Sequence, residues 1–171
     1  MVMGMKDDRF SVPNMVLIGS TGKNSGKTYF GTKLTKRISE ERKVEVLKIA
    51  TVCEGATCIY GKEGCGICDK FPGGYKLEEE ISSTSGKDTS LYLEAGASRA
   101  VLMKSTREAM IEGFEEFLGT VDDNSLIICE SNSLGKFVKP GMFVMVQGEG
   151  DIKPSAGEVM EYADIIYENL R

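Results

Sequence analysis

The chain of 171 residues contains no histidine. That absence removes the commonest general base and the commonest zinc ligand, so any metal must be held by cysteine or carboxylate. It also lacks an apolar run near the roughly 20 residues needed to span a bilayer, and the opening Met1-Val-Met-Gly-Met-Lys-Asp-Asp-Arg9 has no signal-peptide core. A cytoplasmic protein without membrane contact is therefore expected. No broad basic surface exists for nucleic acid: the formal net charge is −5 and the basic residues are spread along the chain. Internal repeats, low-complexity tracts and domain boundaries are missing as well. With 41% hydrophobic and 27% charged residues, the length predicts one domain, 1–171, with a proper core.

What is present is concentrated in the run Met15-Val-Leu-Ile-Gly-Ser-Thr-Gly-Lys-Asn-Ser-Gly-Lys-Thr28. An apolar strand empties through glycines into Gly26-Lys27-Thr28 and then into a helix. Glycines let successive N–H groups turn inward around oxyanions, a lysine reaches the β- and γ-phosphates, and a hydroxyl ligates Mg²⁺. The helix N-terminus adds unpaired amides and a favourable dipole. Gly22, Lys23, Asn24, Ser25, Gly26, Lys27 and Thr28 are thus candidate nucleotide-binding residues, with Lys27 also catalytic and Thr28 a Mg²⁺ ligand. The usual Walker A spacing places glycine at position 21, where this chain has Thr21. Lys23, inside the loop, is a second phosphate contact or a solvated loop lysine.

The remainder alternates short apolar runs with amphipathic segments, the signature of a parallel sheet covered by helices. Strands are predicted at about Met15 to Ile18, Val44 to Ile49, Arg99 to Met103, Ser125 to Cys129, Phe143 to Val146 and Ile165 to Tyr167. Helices are predicted at about Lys27 to Arg42, Asp88 to Ala95, Thr106 to Leu118 and Gly157 to Tyr162. Lys136 to Gly141 reads as a short basic loop around Pro140. Cys129 reads as a small buried hydrophobe. Glu130 ends an apolar strand, where an NTPase keeps the carboxylate that holds Mg²⁺ and positions the attacking water. Ser131-Asn132-Ser133 is placed to bond phosphate or ligand, and Asp88 is either a ligand contact or a helix N-cap. No Asn-Lys-x-Asp motif selects GTP over ATP.

Four of the five cysteines fall at Cys53, Cys58, Cys65 and Cys68, spaced C-x4-C-x6-C-x2-C in a Gly-rich segment, 53–74. Four thiolates suit tetrahedral zinc or an iron–sulfur cluster, [4Fe–4S] being the first expectation, with free or redox thiols the alternative.

On these residues the chain resembles the molybdopterin-guanine dinucleotide biosynthesis protein B family, MobB, among the dimerising P-loop NTPases. The resemblance lies in Asn24-Ser-Gly-Lys-Thr28, in Gly86-Lys-Asp-Thr89 followed by Glu94-Ala-Gly-Ala97, and in the apolar strand ending at Glu130. It implies a three-layer α/β P-loop fold with a mainly parallel sheet, into which this chain's own Cys-rich segment, 53–74, is expected to be inserted after strand 2. It further implies GTP binding with slow hydrolysis, a homodimer, and an accessory role beside a partner enzyme in molybdenum cofactor maturation. The chain departs from the family in having Thr51-Val-Cys53 where histidine is usual, and in the cysteine segment. A metallochaperone or redox NTPase, a nucleotide module with structural zinc, and a small-molecule kinase or ligase are the other expectations.

Overall fold

A computed structural model describes residues 7–52, 71 and 73–168. The expected ligands Cys53, Cys58, Cys65 and Cys68 lie outside the described residues. The elements run β1 (Phe10–Ser20), α1 (Lys27–Ile38), β2 (Val44–Thr51), β3 (Tyr75–Glu79), α2 (Asp88–Glu94), β4 (Arg99–Ser105), α3 (Met110–Leu118), β5 (Leu126–Glu130), β6 (Val138–Gln147), α4 (Pro154–Gly157) and β7 (Ile165–Glu168). Short 3-10 turns occupy Ser133–Lys136 and Met160–Tyr162.

Strand alternation sends successive side chains to opposite faces, and both faces of this sheet are apolar. Leu17, Leu47, Met103, Ile127 and Cys129 pack beneath Met110, Phe114 and Phe117 of α3. Ile18, Val46, Ile128 and Val146 meet Tyr92 of α2 and Phe30, Leu34 and Ile38 of α1 on the other side. The outcome is an α/β molecule with helices on both faces of a seven-stranded sheet in the order β3-β4-β2-β5-β1-β6-β7. Every pairing is parallel except that of β3 with β4. Cys129 sits fully buried in the α3 core, as a small hydrophobe would.

Several boundaries differ from expectation. Strand β1 begins at Phe10, well before Met15; Pro13, which has no N–H to donate, falls where its register against β6 shifts between Val12 and Val16. The expected loop 136–141 is instead largely strand, because Val138, Lys139 and Pro140 lie beside Phe10, Ser11 and Val12. Close approach there needs Gly141, since a Cβ would stand 2.1 Å from the Pro13 carbonyl oxygen. Strand β3 was not expected at all: Tyr-Lys-Leu-Glu-Glu is a charged sequence suited to an exposed edge. Helix α1 stops at Ile38, short of Arg42, and α3 starts at Met110, after a turn in which Thr106 Oγ1 accepts from Ala109 N. The predicted helix at Gly157 to Tyr162 is replaced by α4, with proline in its first turn, and a 3-10 turn. Lys87, not Asp88, occupies the N-cap of α2. Its far end agrees with expectation: Gly96 has φ 101°, with Gly96 N donating to Leu93 O and Ala97 N to Tyr92 O.

Candidate functional site

Strand β1 ends mid-sheet, flanked by β5 and β6, so the chain leaves it above the carboxyl edge where open α/β sheets bind ligands. The loop that follows turns on two left-handed residues, Asn24 at φ 55° and Gly26 at φ 92°. Gly26 stands at the N-cap of α1 and has no side chain with which to cap it, so the first-turn amides receive no hydrogen bond from the capping residue. Ser20 Oγ and Ser25 Oγ both donate to the Gly22 carbonyl, at 3.0 and 3.2 Å, closing the loop on itself.

The departure at position 21 has a structural reason. Thr21 is buried; its N–H donates to Val146 O, its carbonyl accepts from Lys153 N, and its hydroxyl accepts from Gly148 N at 3.0 Å. A glycine there would forfeit the hydroxyl bond that ties the segment after β6 to the loop. That segment is pressed close, since a Cβ on Gly148 would fall 2.7 Å from the Ser25 Cβ.

At the head of α1, Lys27 and Thr28 face Glu130, the last residue of β5, which is only 2% exposed. Thr28 Oγ1 donates to the two carboxylate oxygens at 3.2 and 3.3 Å, and Lys27 Nζ stands 3.9 Å from Oε1. Two partners were not anticipated. Tyr92 OH, from the buried face of α2, donates to Oε2 at 3.0 Å. Lys48 Nζ, from β2 directly beside Glu130 in the sheet, donates to Oε1 at 3.3 Å and also to Asp88 Oδ2. A lysine near the carboxyl end of the second strand, between Leu47 and Ile49, was the signal available in the sequence; for Tyr92 there was none.

Gly22 through Thr28, Asp88 and Glu130 line one cavity of about 490 Å³ together with Tyr29, Lys48 and Lys153. Among these residues four lysines face two carboxylates, an excess of positive charge in a chain whose net charge is −5. Ser131, Asn132 and Ser133 take a different part. Ser131 Oγ accepts from Leu134 N, Asn132 bridges the Ser20 N–H and carbonyl, and Ser133 Oγ pairs with Thr51, so they brace the carboxyl edge. A second hollow of about 440 Å³ adjoins the cavity between α1 and α2, sharing Thr28, Tyr29 and Asp88.

The electrostatics follow from the crowding. Burial pushes the Lys27 pKa below the usual lysine range, against the pull of Glu130 and with the help of Lys48. Burial opposes charge on Lys48 too, but Glu130 and Asp88 outweigh it and its pKa lies above the usual value. Burial first and Glu130 second hold the Tyr92 phenol well above 10.0, so it is a donor at any ordinary pH. Lys153 is lowered by burial and by the neighbouring Lys27 and Lys23. Among the described residues, no group of three or more cysteine, aspartate or glutamate side chains is arranged to hold a metal ion, and no helix is long and apolar enough to cross a membrane. No protein-family model, curated protein or solved structure matches this chain.

Proposed function

We propose that the cavity binds the phosphates of a nucleoside triphosphate with Mg²⁺ and that the chain is a P-loop NTPase. The observation that carries this is the convergence of Lys27 and Thr28, at the uncapped start of α1, on a buried carboxylate at the tip of the adjacent strand. A carboxylate only 2% exposed needs partners, and a threonine hydroxyl, two lysines and a phenol supply them beside a cavity lined by four lysines and two carboxylates. A triphosphate gives each a purpose. The loop and helix amides meet the oxyanions, and Lys27 neutralises the terminal phosphates. The Thr28 hydroxyl and the Glu130 carboxylate form a pair of hard oxygen donors suited to Mg²⁺, a cation that takes one or two protein ligands and completes its shell with water and phosphate. Mg²⁺, when bound, would spread the charge that develops on the β- and γ-oxygens. Glu130, held by Tyr92 and Lys48, keeps one orientation toward the attacking water.

The narrower role of a MobB-like, GTP-using homodimer that assists a partner enzyme of molybdenum cofactor maturation in the cytoplasm rests on the three sequence stretches alone. ATP remains an equal candidate for the base. A second function, in which nucleotide state works a zinc or iron–sulfur centre, is motivated by order in the sequence: Cys53 comes two residues after Thr51, the last residue of β2, the strand that brings Lys48 into the cavity.

Titration calorimetry with MgGTP and MgATP tests the proposal. Lys27→Ala should weaken the preferred triphosphate at least about a hundredfold, the scale of a lost charge-assisted contact in a desolvated site, while the circular dichroism spectrum is kept. Unchanged affinity in a folded variant would sink the phosphate site. Iron, sulfide and zinc analysis of protein purified without oxygen tests the cysteines: bound metal should be lost on replacing Cys65 and Cys68 with serine, and a protein without metal ends that second function.

A further inference from the structure

Lys48 holds an unusual position. It is a lysine of a central parallel strand, its Nζ lies against the same Glu130 Oε1 that Lys27 approaches, and its second partner is Asp88, the first helical residue of α2. The two partners differ in what their loss costs. Glu130 is 2% exposed, so losing a cation leaves a buried charge less compensated, whereas the Asp88 side chain is 48% exposed and water can replace the lysine at little cost.

We infer that Lys48 is the reader of the terminal phosphate, and that it exchanges Asp88 for the γ-phosphoryl group when a triphosphate binds while remaining on Glu130. This rests on the nucleotide assignment made above and deepens it. Thr28 and Glu130, the residues that would hold Mg²⁺, would mark the β,γ end of the phosphate chain. Lys48 touches that same carboxylate and so lies at the γ end. A half-solvated aspartate carries one negative charge and the γ-phosphoryl group nearly two, so the phosphate wins the lysine. A diphosphate offers nothing at that point, and Lys48 stays with Asp88. The exchange is confined to charge and hydrogen bonds; no covalent bond is made or broken by it. Its consequence reaches α2, whose first residue is released while Tyr92, one turn on, still binds Glu130. Asp88 also lines the hollow between α1 and α2, beside Lys33 and Lys36, so nucleotide state sets the charge presented there.

The test is the ratio of triphosphate to diphosphate affinity, measured by calorimetry with Mg²⁺ on the full chain using the GTP/GDP and ATP/ADP pairs. Lys48→Met should lower that ratio by roughly ten- to a hundredfold, the triphosphate losing far more affinity than the diphosphate. Asp88→Asn should raise the ratio severalfold, since the competing charge is gone. A merely structural lysine would weaken both nucleotides alike, and that result, or an unchanged ratio in either variant, overturns the inference. Should Lys48→Met fail to fold, Asp88→Asn decides alone. If the parent protein binds neither nucleotide, the phosphate assignment itself falls; if it binds both and the ratios stay fixed, only the role of Lys48 does.

Discussion

Glu130 is the residue on which the site turns, because four side chains from three different elements address its two oxygens: Lys27 and Thr28 of α1, Lys48 of β2 and Tyr92 of α2. Burial costs the Lys27 charge more than Glu130 returns, so its pKa falls below the usual lysine value. A bound phosphate favours the ammonium and raises that pKa again. On the proposed phosphate site, triphosphate affinity is therefore expected to be complete below the pKa of the free protein and to decline as pH rises through it, beginning earlier than an ordinary lysine would allow. Dissociation constants measured as the pH is raised toward the ordinary lysine range should show this weakening set in early; an onset no earlier than that of an ordinary lysine contradicts it. Of these residues the sequence showed Lys27, Thr28 and Glu130, because each sits at a strand or helix end with a motif around it. Lys48 and Tyr92 lie inside regular elements, where the identity of a neighbour across the sheet is invisible.

At the scale of elements, the contact between α1 and α2 is set by one small residue. Gly31 lies on the buried face of α1, and a Cβ there would stand 2.0 Å from the Tyr92 hydroxyl oxygen. Two effects of Gly31→Ala oppose each other. Alanine favours the helix by about 1 kcal/mol, while overpacking costs about 1–3 kcal/mol and displacing the phenol from a charged acceptor a further 1.5–3 kcal/mol or so. Loss wins: urea unfolding should show destabilisation of about 2 kcal/mol or more, and a stabilised variant would show that Tyr92 yields freely. Edges explain the missed strand. β3 carries Lys76, Glu78 and Glu79, a composition that blunts edge pairing and also hides the strand from a hydrophobicity reading. Lys136, Lys139 and Pro140 disguised the start of β6 in the same way.

For the whole molecule, a ligand that binds only the folded form transmits its free energy to global stability. At a hundred times its Kd the nucleotide should add about 2.7 kcal/mol, which for a chain of 171 residues corresponds to a rise in Tm of roughly 5–10 °C. Differential scanning fluorimetry with and without MgATP or MgGTP checks this, and sodium chloride at the same ionic strength should not reproduce it. By itself the sequence determined the alternation of strands and helices, the strand that opens into a glycine loop and helix, and the carboxylate that ends an apolar run. These follow from local rules: periodicity decides which face is apolar, and glycines decide where the chain can turn left-handed. Only the tertiary structure decided that β5 inserts between β1 and β2. That order brings Glu130 to Thr28 across 102 residues and to Lys48 across 82, and it makes Thr21 a tether where the usual loop has glycine. Strand order and register come from how two apolar faces are filled at once by helices distant in sequence, and no local pattern of residues carries that information.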